Sequence, residues 1–203
     1  MKRFIPLLAV ILTGCVIHSI EPFYSSTARV APNAVLGRWQ LLQNHGEPVG
    51  SNNISPWIIE TGDANHYKLT AYDSRNVGAP FDLIFFTVGK SFFVDVVAGL
   101  DGGDMRLNEH WTFAAVHPVH SVCKVILETN RLQLIALDYQ WVEDGLTKKQ
   151  LALPHYGTTN DLMLFTTKPA DWETFLQKYA NDAGAFPEKR AFELKRIPET
   201  KTP

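Results

Sequence analysis

The sequence predicts a mainly β domain, an antiparallel barrel or strongly curved sheet of about eight to ten strands with one or two helices. Three observations carry this. Short runs rich in aromatic and β-branched residues recur along the chain, separated by turn residues. Gly89-Lys90 lies between two such runs, as the centre of a two-residue hairpin would. Leu83 to Val88 is apolar on both faces of a strand, so it needs cover on both sides or an apolar cavity on one.

The elements follow in order. VLGRWQLLQ (35–43) is the first strand. WIIET (57–61) and HYKLTAY (66–72) come next, joined by the turn cluster Thr61-Gly62-Asp63-Ala64-Asn65. FDLIFFTVGKSFFVDVV (81–97) folds on itself with Gly89 in the first central position of a type II′ turn. DGGDMRLNE (101–109) is a loop, and 110–128 is a long extended stretch interrupted at Pro118. In RLQLIALDY (131–139), Leu132, Leu134 and Ala136 alternate with Arg131, Gln133 and Ile135, after a turn at Thr129-Asn130. Gln140 to Gln150 reads as one helix, weakened by Gly145. Pro169 to Asn181 reads as another, because Trp172, Phe175, Leu176 and Tyr179 share one face and Pro169 suits the first turn. DLMLFTT (161–167) and AFELKRI (191–197) flank that helix as strands.

The N-terminus has its own logic. Lys2-Arg3 precedes a short apolar run, Phe4 to Leu12, and then small residues. A membrane span needs about 20 apolar residues, and this run is too short. Charged start, short apolar middle and small-residue end make a secretory signal peptide, residues 1–14. Residues 15–33 then read as a tether and 34–203 as one domain. Leu12-Thr13-Gly14-Cys15 resembles the recognition site of bacterial lipoprotein signal peptidase. The resemblance implies cleavage before Cys15, a diacylglyceryl group on its sulfur and attachment to the cell envelope. Val16 in place of Asp implies the outer membrane in a Gram-negative cell. Two or three acyl chains hold a protein firmly where one does not.

Bulk properties narrow the function. Hydrophobic residues make up 45% and charged residues 20%, and the formal net charge is −2. With no basic cluster, nucleic-acid binding is excluded. There are 2 cysteines, so a lipidated Cys15 leaves Cys123 unpaired in an apolar, strand-like run. Such a Cys behaves as a small hydrophobe.

Gly37-Arg38-Trp39 opens the domain and resembles the Gly-x-Trp signature of lipocalins and lipocalin-like barrels. That resemblance implies that Trp39 plugs one end of a barrel, with Arg196 packed across it. A second lipocalin motif is missing, since Leu137-Asp138-Tyr139 is a faint echo, and the last strand here follows the helix instead of preceding it. The domain also resembles a group of bacterial lipoproteins with no activity attached to it. The matching stretches are Phe92-Phe93-Val94-Asp95, His117-Pro118-Val119-His120, Leu164-Phe165-Thr166-Thr167 and Phe175 to Ala180.

Candidate chemistry is thin. His110, His117 and His120 invite a metal, but on one regular strand His117 cannot share a face with the other two. Solvated or hydrogen-bonded histidines are the ordinary reading, and no metal or cofactor is expected. Val88-Gly89-Lys90-Ser91 mimics a phosphate loop, yet Ile84 stands where that motif needs Gly. Gly103, between Asp101 and Asp104, breaks a calcium-loop pattern. No Gly-x-Ser-x-Gly and no His-Glu-x-x-His occurs, so no catalytic residue is named. Asp95, within an apolar strand, must find water or a partner. It faces either a cavity, as a weak pocket candidate together with His117 and His120, or outward. The expected partners are therefore a membrane through the lipid anchor and a small apolar ligand or lipid. The alternative is a filled core and an envelope protein partner.

Overall fold

A computed structural model describes residues 17–42, 55–63, 66–73, 76–99, 119–157 and 163–198. Its strands are β1 (His18–Ser19), β2 (Gly37–Leu42), β3 (Trp57–Thr61), β4 (Tyr67–Tyr72), β5 (Gly78–Val88), β6 (Ser91–Ala98), β7 (His120–Leu127), β8 (Arg131–Ala136), β9 (His155–Tyr156), β10 (Leu164–Phe165) and β11 (Phe192–Arg196). Two helices, α1 (Tyr139–Thr147) and α2 (Pro169–Tyr179), come between β8 and β11.

Eight of these strands close a barrel. β2 to β8 form an antiparallel meander, β11 pairs with both β8 and β2, and β6 pairs with β7 in the middle of the meander. Every barrel strand thus has two neighbours, which removes the exposed edges of an open sheet. The β5–β6 hairpin turns at Gly89 (φ +59), with Val88 opposite Ser91. Lys90 keeps a negative φ, which fits the expected type II′ turn.

Side-chain alternation divides the apolar residues into two cores. Inside the barrel lie Trp39, Leu69, Leu83, Phe85, Val94, Cys123, Leu132 and Leu194. Outside it, Ile84, Phe86, Phe93, Val122 and Ile135 from the same strands pack beneath the two helices and the N-terminal segment. The doubly apolar run on β5 therefore has cover on both faces.

Of residues 15–33, read from the sequence as a tether, Ile17, Phe23, Tyr24 and Ala28 pack into this second layer, while Val30 packs against the barrel core. Ile17 is 1% exposed and Phe23 is fully buried. β1 pairs antiparallel with β7 (Ser19 opposite His120) and parallel with β10, which continues to β9. The Phe23 ring lies 4.4 Å from Trp172 of α2, whose indole N–H donates to buried Ser19 Oγ at 3.1 Å. The segment has no sustained period because its apolar residues serve as single anchors, not as one face of an element. Of the strand-like stretch 161–167, the described residues 163–167 contribute β10, outside the barrel. The helix expected at 140–150 spans Tyr139–Thr147, with the Asp138 carboxylate accepting the Trp141 N–H at 2.9 Å as its N-cap.

Candidate functional site

One end of the barrel is plugged. Gly37 at the start of β2 has φ +122, a backbone region open to Gly and strained for other residues. A side chain there would also meet Arg196 Nη1 at 3.2 Å. Two residues on, Trp39 is fully buried and donates its indole N–H to the Val35 carbonyl at 2.9 Å. Arg196 stands opposite Trp39 in the β2–β11 register, and its guanidinium lies 4.2 Å from the indole ring. That guanidinium donates to the Leu36 carbonyl at 2.7 Å, the Thr129 carbonyl at 3.2 Å and the Ala34 carbonyl. One cation thus stacks on the plug and ties β2, its approach and the β7–β8 turn together.

The opposite end holds a cavity of about 60 Å³. Trp57, Phe81, Val96, Cys123, Leu134 and Phe192 form its apolar wall. Small side chains, Ala71, Ala98 and Ala136, leave the room. Two polar side chains enter the lining, His18 of β1 and Ser121 of β7, with His18 Nδ1 and Ser121 Oγ 3.4 Å apart. Burial lowers the pKa of His18 below its usual 6.5, so the imidazole is neutral at pH 7. Burial also pushes the Cys123 thiol up to about 12, with the charge of Asp95 adding to the effect. A protonated, buried thiol is no nucleophile. The cavity thus offers apolar contact and one neutral donor–acceptor pair.

Asp95 and His120 lie on the other side of the wall. Asp95 sits between the inward Val94 and Val96, so it points out of the barrel, into the second layer. There it is fully buried and accepts the Phe23 backbone N–H at 3.0 Å and meets His120 Nδ1 at 3.0 Å. Desolvation raises its pKa; the hydrogen bond with His120 opposes the shift. The pair fastens the N-terminal segment to β6 and β7, and neither residue is among those that line the cavity at the unplugged end.

Cys15, Leu12, Thr13 and Gly14 lie outside the described residues, as do His110, His117 and the 101–109 loop. Among the described residues, no group of three or more His, Cys, Asp and Glu could hold a metal. Sequence reasoning missed His18, placed in a tether, and Ser121. The latter was within reach, since it alternates with Cys123 and Val125 on one face of β7. The eight-stranded closed meander with one plugged end and one hollow end is a lipocalin-like barrel. Compared with family models, curated proteins and solved structures, the chain shows no significant match.

Proposed function

We propose that this protein is a lipid-anchored envelope protein whose barrel holds a small apolar ligand or lipid. The cavity at the unplugged end carries the reading. Its volume is several times the roughly 10–15 Å³ that one water needs. Water inside would find few partners, because only His18 and Ser121 are polar among the lining side chains. An apolar molecule with a single polar end satisfies the wall and the pair together. The alternative, a filled core that serves only as a scaffold, leaves this hollow without a purpose. The anchor is supported by Leu12-Thr13-Gly14-Cys15 behind a short apolar run, and Val16 favours the outer membrane in a Gram-negative cell.

Native mass spectrometry of gently extracted protein tests the ligand. A co-purifying small molecule, lost in a His18→Ala/Ser121→Ala variant, is expected. A barrel that always flies at its bare mass contradicts the reading. The mass of the mature N-terminus separately tests the lipid on Cys15.

A further inference from the structure

Building on the apolar-ligand reading given above, we propose that the cavity selects ligands whose polar end is uncharged, a hydroxyl before any other, and rejects carboxylates and amines of the same chain length. The lining carries this selection. Among the described residues that line the cavity, none is Lys, Arg, Asp or Glu. A carboxylate taken out of water needs a cation or several hydrogen-bond donors, and an ammonium needs an anion or several acceptors. Neither set stands in this lining: beside the apolar wall it has His18, Ser121 and the Cys123 thiol. The polar pair is also set within the apolar wall. Ser121 is 7% exposed and stands opposite Val96 of β6, itself a lining residue. Val119 and Cys123, two positions away on either side, line the cavity too. A head group that reaches Ser121 therefore has apolar wall on both sides of it and leaves its water behind.

Two groups of the lining report what a charge meets there. Burial lowers the pKa of His18, so even a resident cation is disfavoured. Burial pushes the Cys123 thiol up to about 12, and the charge of Asp95 behind the wall adds to the effect. Surroundings that oppose a thiolate oppose a carboxylate in the same place. A hydroxyl, by contrast, fits the polar pair in either of its hydrogen-bond arrangements. With Ser121 Oγ donating to His18 Nδ1 at 3.4 Å, the Oγ lone pairs remain to accept. With the imidazole N–H donating to Oγ, the Ser121 O–H remains to donate. An alcohol both gives and takes a hydrogen bond, so it answers both arrangements, whereas an ether or ketone answers one. A buried site built to bond a hydroxyl discriminates against analogues that leave its polar groups unpaired.

Calorimetric titration of the full chain at pH 7 with octan-1-ol, octanoate and octylammonium tests the selection, since the last two are ionised there. Saturable binding of the alcohol, at least tenfold tighter than that of either ion, is expected. Ser121→Ala and, separately, His18→Ala should each narrow the ratio of alcohol to octanoate affinity at least threefold, with folding checked by circular dichroism. A loss of packing alone would weaken both probes alike and leave the ratio unchanged. A ratio below tenfold in the native protein, or one that both variants leave unchanged, overturns the selection and leaves apolar binding in place. Absence of saturable binding for all three probes overturns the selection and the apolar-ligand reading together.

Discussion

Single residues decide how this barrel is closed and how its outer layer is held. Arg196 combines a stacked contact on Trp39 with hydrogen bonds to three carbonyls. Arg196→Ala should lower unfolding stability by about 2–4 kcal/mol and change the Trp fluorescence, read by denaturant titration. Arg196→Lys should recover only part of the loss, because an ammonium lacks the planar fork. Asp95 is different in kind. Its folded-state pKa lies above 3.8 because burial disfavours the carboxylate, with His120, Tyr24 and Cys123 the titratable groups that interact with it. Stability from this group is therefore complete below pH 3.8 and is lost as pH rises through the raised value. Relative to Asp95→Asn, the native protein should lose stability with rising pH across that window. A pH-independent difference between the two would mean that Asp95 titrates like an exposed carboxylate.

At the level of elements, the N-terminal segment makes the clearest contrast between what the sequence announces and what the fold does. The barrel strands were legible, because period-two alternation and turn residues are local signals. The Gly89-Lys90 hairpin and the doubly apolar β5 follow directly from them. Residues 17–33 carry no such signal. Ile17, Ser19, Phe23 and Tyr24 are buried by long-range contacts with β10, α2 and β5, and none of these can be read from neighbouring residues. Asp95 was equally opaque, since its partners are 25 residues away in His120 and 72 in Phe23. Phe23→Ala should cost about 3–5 kcal/mol, since it empties a fully buried site against Trp172. A passive tether would tolerate the change without effect. Cys123 gives a further test. Its thiol should resist alkylation in the native protein at pH 8 and react once the chain is unfolded.

For the whole molecule, two cores share one wall. The barrel's interior is filled near Trp39 and hollow near His18, while the outer layer of helices and N-terminal segment clamps strands β5 to β8 from behind. Lipocalin-like closure was legible from Gly37-Arg38-Trp39, whereas the cavity was not, because it depends on which small residues, Ala71, Ala98 and Ala136, meet across strands. The central claim is that the hollow receives an apolar ligand. Titration with a pyrene-labelled acyl alcohol tests it most directly, on the native protein and on an Ala71→Leu/Ala136→Leu variant whose added carbons fill the space. The account predicts saturable binding of one probe per barrel, weakened at least tenfold in a variant that remains folded by circular dichroism. Absence of saturable binding to the native protein, or equal affinity in the filled variant, would contradict it.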